Sequence, residues 1–126
     1  MLCPCGNKES YASCCEPLLN RSKKAEHAEE LMRSRYTAFC MKDIEYLKDT
    51  THPSTLKDFD IEANTEWAQK ARFTQLEILS ASEKGDDGFV HFRARYRMGL
   101  TFHGHEEKSI FRRESGTWYF VEGEVV

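Results

Sequence analysis

Between residues 25 and 42 the apolar positions recur every three or four residues, with no Gly or Pro among them. The pattern predicts one amphipathic helix. On a wheel of about 100° per residue, Ala25, Ala28, Leu31, Met32, Tyr36 and Phe39 share an arc. Asp43 can cap a second, shorter helix over residues 44–48, before the break at Thr50-Thr51-His52-Pro53. Residues 54–72 allow a further helix, with Thr65 as N-cap and Trp67 and Ala71 on one face. From Phe73 onward the period changes to two. Strands are predicted over 73–80, 89–98, 100–102, 108–113 and 117–121, separated by turns at 84–88, around His103-Gly104-His105, and at Ser115-Gly116. Helices followed by a run of antiparallel strands make an α+β layout.

The face assignments sharpen the picture. In the second strand Val90, Phe92, Ala94 and Tyr96 form an apolar row that should pack on the helices. His91, Arg93, Arg95 and Arg97 form the opposite row, read as a solvated face. In the fourth strand Glu107 and Ser109 share parity with Phe111 and so should face inward with it. Arg35 falls in the middle of the helix's apolar arc. An arginine there either reaches out to the rim or is buried with a partner, and Glu107 offers that partner. Arg35, Glu107, His52, Trp67 and Ser109 are therefore the candidate residues of an interior pocket. His103 and His105 alternate and could share a face, but beside Gly104 and two glutamates they read as an exposed loop.

A chain of 126 residues with 31% charged and 40% hydrophobic residues is long enough for one domain with a real core. A net charge of -3 argues against nucleic acid as a partner. No apolar run approaches the roughly 20 residues of a membrane span. The opening Met-Leu-Cys-Pro-Cys lacks the charged and apolar regions of a leader, so the expected compartment is the cytoplasm. No Gly-x-Ser-x-Gly elbow, phosphate-binding glycine loop or His-Glu-x-x-His is present, and no catalytic residue is assigned.

Four of the five cysteines lie in the first fifteen residues, as Cys3-x-Cys5-x8-Cys14-Cys15. In a reducing compartment such a cluster reads as a metal site rather than a disulfide framework. Four thiolates around one ion at roughly 2.3 Å make a closed tetrahedral site, the mark of structural rather than catalytic zinc. An iron–sulfur cluster is the alternative, and the tight spacing favours a single small ion. Cys40 stands alone within the helical pattern as a structural thiol.

The segment Cys3-Pro4-Cys5-Gly6-Asn7, with Tyr11 and Cys14-Cys15, closely resembles the SEC-C motif, a small zinc-binding module. The remainder resembles the YchJ family at Leu31-Met32-Arg33-Ser34-Arg35-Tyr36, Thr65-Glu66-Trp67, Gly88-Phe89-Val90, Glu107-x-Ser109-x-Phe111 and Trp118-Tyr119. The resemblance implies a SEC-C module over residues 1–19 and a nuclear-transport-factor-2-like, cystatin-like cone over residues 25–126, a curved antiparallel sheet wrapped around helices. The expected function is that of an accessory protein whose zinc module docks a protein partner and whose cone binds a peptide or small ligand, and the SEC-C resemblance suggests partners in protein export, translation or quality control. A small enzyme working inside the cone is the alternative. Many such proteins end in a second SEC-C motif, which this sequence does not contain, and Asn7-Lys8-Glu9-Ser10 stands where the first motif often has Ser-Gly-Lys-Lys after its glycine.

Overall fold

The computed structural model describes all 126 residues. In chain order they form α1 (Glu16–Leu19), α2 (Ala28–Cys40), α3 (Ile44–Asp49) and α4 (Ile61–Lys70), then β1 (Arg72–Lys84), β2 (Asp87–Met98), β3 (Thr101–Glu114) and β4 (Thr117–Val125). Short 3-10 turns occupy Tyr11–Ser13 and Leu56–Asp58. The strands form one antiparallel meander in the order β1-β2-β3-β4. The layout is the α+β arrangement that the hydrophobic pattern predicts.

The helix ends depart from the sequence reading, each for a local reason. Helix α2 starts three residues late because His27 at its N-cap gives no side-chain hydrogen bond. Glu83 of β1 supplies the cap instead, accepting the Ala28 N–H at 3.0 Å. A carboxylate there also meets the positive end of the helix dipole. The helix stops at Cys40 because Lys42 turns left-handed, with φ 61°. Asp43 N–H then bonds Ala38 O at 2.8 Å and Lys42 N–H bonds Phe39 O at 3.2 Å. That is a Schellman closure, normally built on glycine. Asp43 caps α3 as expected, accepting from Tyr46 N–H at 3.1 Å. In α4 the cap is Asp60, which accepts from Ala63 N–H at 2.9 Å, and Thr65 lies inside the helix rather than at its start. An aspartate already placed one turn upstream wins the capping role.

The predicted break around His103-Gly104-His105 does not exist. Strand β3 runs through it, with these residues paired to Tyr96, Arg95 and Ala94 of β2. A glycine in a strand weakens it locally, but pairing along the full length of β2 holds this one extended. Irregular register at Phe73/Gln75, Ile78/Ser80 and Ile110/Phe111 bends the sheet around the helices.

The inner face carries Val90, Phe92, Ala94, Phe111 and Trp118, all buried, together with Ser109. The outer face carries the basic row, paired with acids: Arg93 to Glu106 at 2.8 Å and His91 to Glu106 at 2.8 Å. Helix α2 lies in the bend, and Gly88 lets it approach closely: a Cβ there would stand 2.5 Å from that of Ala28. The helix is covered on a second side as well. Ser34 shares a 2.6 Å hydrogen bond with Tyr46 of α3, and Thr37 packs under the cysteine segment, so both polar side chains are buried. Residues 50–52 then pair with β4, through Phe120 N–H to Thr50 O at 2.8 Å and His52 N–H to Phe120 O at 2.7 Å.

Candidate functional site

The first site is the cysteine cage. Gly6, at φ 83°, turns the chain back after Cys5, and its N–H donates to Cys3 O at 3.2 Å. The turn of Tyr11–Ser13 brings the second pair round, and Cys15 N-caps α1. The four Sγ atoms all lie within 4.8 Å of one another, with Cys5–Cys14 at 3.6 Å and Cys14–Cys15 at 3.8 Å. A tetrahedral ion with metal–sulfur bonds of about 2.3 Å needs sulfur–sulfur edges of roughly 3.8 Å. None of the five cysteines is in a disulfide. The donor set and its spacing therefore fit one metal ion bound by Cys3, Cys5, Cys14 and Cys15.

The surroundings orient these ligands. Asn7 Nδ2 donates to Cys14 Sγ at 2.8 Å, and Thr37 Oγ1 donates to Cys15 Sγ at 3.4 Å. Arg33 grips the Cys5 carbonyl at 2.8 Å. The Cys5 thiol pKa is lowered to about 5, first by the hydrogen bond from Cys15 and then by the Asn7 backbone N–H, against burial. Burial and the neighbouring thiols push Cys14 up to about 12, and Cys15 is pushed further up by the Cys5 thiolate. Four crowded sulfurs cannot all ionise without a cation between them, which is what a bound metal supplies. Cys40 stands apart, and burial raises its thiol to about 11.

The second site is a cavity of about 400 Å³ between α2, α4 and the inner face of β2–β4. Its wall is aromatic. Trp67 makes edge contacts with Phe39 at 5.3 Å, Phe73 at 5.2 Å, Tyr96 at 5.7 Å and His105 at 5.3 Å between ring centroids. Arg35, Glu107 and Trp67 line it, as do Asp58, Asp60 and Glu122 at the solvent side.

The predicted Arg35–Glu107 ion pair is not formed. Arg35 is only 7% exposed. Its Nη1 donates to Leu47 O at 2.9 Å and Thr50 Oγ1 at 2.7 Å, and the guanidinium lies 4.4 Å above the Phe120 ring. Burial depresses its pKa to about 10, with only distant support from Tyr46 and Glu107. Glu107 has nearer partners. His105 Nε2 lies 2.9 Å from Oε1, and Ser109 Oγ donates to Oε2 at 2.6 Å. Burial raises the Glu107 pKa, but the His105 and Ser109 hydrogen bonds outweigh it, so the net shift is downward.

His52 and Ser109 lie off this cavity. His52 is buried beside Tyr119, accepting from Ser54 N–H at 3.0 Å through Nδ1 and meeting Glu114 at 2.8 Å through Nε2. Ser109 acts on the cavity only by holding Glu107. His105 is the functional candidate that the sequence reading missed. Its parity with Glu107 was the available signal, and the supposed loop at Gly104 hid it.

An antiparallel sheet bent around helices, led by a four-cysteine cage, defines an NTF2-like α+β domain with a SEC-C motif. Residues 27–123 match the family described as "YchJ, middle NTF2-like domain", and the chain belongs to the YchJ family. It is 45% identical to a UPF0225 protein of Geobacter sulfurreducens over 125 residues, covering 97% of this chain and 78% of that one. It is similar to the solution structure of a SEC-C motif containing protein from Rhodopseudomonas palustris, at 45% identity and TM-score 0.94, covering 100% of this chain and 99% of that one. A crystal structure of a SEC-C motif containing protein from Psychrobacter arcticus superposes with TM-score 0.85 at 28% identity, covering 98% of this chain and 82% of that one. No helix is long and apolar enough to cross a membrane.

Proposed function

We propose that this protein is a zinc-stapled accessory protein of the cytoplasm whose cone binds a small ligand or peptide. The observation that carries this reading is the aromatic cavity: it is open, about 400 Å³ in volume, and holds a buried arginine that no carboxylate pairs. A filled cone would have left the domain as scaffolding alone. An open pocket of this size, mostly apolar with a few convergent polar groups, is the usual form of a ligand site. A thermal-shift screen of small molecules, followed by structures with the hits, tests it. Stabilising ligands should occupy the space beside Trp67, and hits that all bind elsewhere refute the reading.

Zinc is the ion we assign to the cage, because four thiolates with no open position suit structural zinc. Metal analysis should return one zinc per chain, and Cys14→Ser or Cys5→Ser should lower that figure. Residues 1–19 form the module proposed to dock a protein partner, through exposed Met1 and Leu2. Leu2→Asp should then abolish capture of that partner while leaving the zinc in place.

One observation favours catalysis as a second reading. His105 and Glu107 form a hydrogen-bonded pair at the cavity wall, the arrangement in which a carboxylate fixes a histidine for proton transfer. Turnover of a bound ligand that His105→Ala abolishes, with binding retained, would establish it.

A further inference from the structure

We propose that the cavity is built for a carboxylate: Arg35 holds the anionic end of the ligand, and the aromatic wall around Trp67 takes a flat apolar body. The proposal rests on the cavity being a ligand site and assigns its chemical class.

The argument begins with what Arg35 lacks. Both recorded hydrogen bonds leave from Nη1, while Nε and Nη2 donate to no protein acceptor. No buried side-chain nitrogen in the protein is sealed off without a partner, so these two groups reach open space, and the space that Arg35 lines is the cavity. No carboxylate lies within 4.0 Å of the guanidinium, since it takes part in no salt bridge. Glu107 shares the cavity, but His105 and Ser109 occupy its two oxygens.

The fold does not require the charge. Leu47 O also accepts from Thr51 Oγ1 at 2.8 Å, and Thr50 Oγ1 donates to Tyr46 O at 2.8 Å. Removing the guanidinium would orphan neither. A buried cation is expensive to keep without a partner, and burial already depresses its pKa. Nε–H and Nη2–H form the parallel fork that matches a planar carboxylate.

Asp58, Asp60 and Glu122 at the rim oppose an anion, as does Glu107 inside; Glu107 is held by His105 and Ser109 rather than facing a ligand alone, and the rim groups are exposed. Water and salt screen such charges over about 8 Å. Arg35 would act at hydrogen-bond distance with no water between.

Three probes of one shape decide the matter on the unaltered, zinc-loaded chain: phenylacetate, phenylacetamide and phenethylammonium. Binding is read from the Trp67 indole N–H signal by NMR titration. Trp118, whose indole is bonded to Glu26 O at 3.2 Å, is the internal control. Phenylacetate should bind saturably and at least about tenfold more tightly than the amide. That preference should vanish in Arg35→Met. Equal affinity for acid and amide, or tighter binding of the ammonium, overturns the carboxylate assignment while the cavity remains a ligand site. No saturable Trp67 response to any probe overturns both. The comparison on the parent protein stands even if Arg35→Met does not fold.

Discussion

At the residue scale, Arg35 and Glu107 separate what holds the fold from what the fold displays. Truncating Arg35 strands no carboxylate, so the effect depends on what replaces its bulk. Arg35→Met fills the space with an apolar chain and should leave stability within about 1 kcal/mol of the parent, because exchanging a buried charge for a packed hydrophobe is often neutral. Arg35→Ala loses the packing on Phe120 as well and should cost about 2–4 kcal/mol. Chemical denaturation of the two variants checks the contrast. Glu107 makes a pH-dependent contribution. Its folded pKa is below the ordinary value, so its stabilisation is complete above about pH 4.3 and is lost as the pH falls through the depressed folded value. Glu107→Gln should therefore be less stable than the parent at pH 7, with the difference shrinking as acid is added. Denaturant midpoints measured from pH 7 down to pH 3 would show this, and a constant difference would contradict it.

At the element scale, the informative feature is how α2 ends. Lys42 carries a left-handed backbone where a Schellman closure prefers glycine. Lys42→Gly should raise stability by about 0.5–1 kcal/mol, after allowing for the greater freedom of glycine in the unfolded chain. Loss of stability instead would mean that the Lys42 side chain contributes something beyond its strained backbone. The end was illegible in the sequence because no glycine marks it. The start was illegible for another reason: its cap, Glu83, lies 55 residues further along the chain. Caps supplied from nearby, such as Asp43 for α3, were readable from the sequence. The apolar row of β2 was readable too, because side-chain alternation along a strand is local geometry.

At the scale of the whole molecule, the cysteine cage is joined to the main core. Cys3, Cys5, Cys15 and Leu18 belong to the same buried cluster as Leu31, Met32 and Phe92. Chelating the zinc proposed for the cage should therefore act at two levels. Hydrogen exchange after chelation should show residues 1–19 losing protection first, since such small modules fold on their ion. The sheet should keep its protection, while the melting temperature of the whole protein falls because the side of α2 carrying Thr37 loses its cover. An unchanged melting temperature would mean that the cage contributes nothing to the core it touches.

The amino-acid sequence determined the cage, the α+β order and the inward row of each main strand, because all three depend on residues close together along the chain. Four cysteines within fifteen residues need only the local turns at Gly6 and Tyr11–Ser13 to meet. Only the tertiary structure decided the contents of the cavity. Arg35 faces Phe120 and the carbonyl of Leu47 instead of Glu107, and His105 holds the carboxylate that the sequence offered to Arg35. Parity shows which way a side chain points from its own strand. It does not show which of several inward-pointing groups comes within hydrogen-bond distance, since the bend of the sheet and the seat of α2 set those distances.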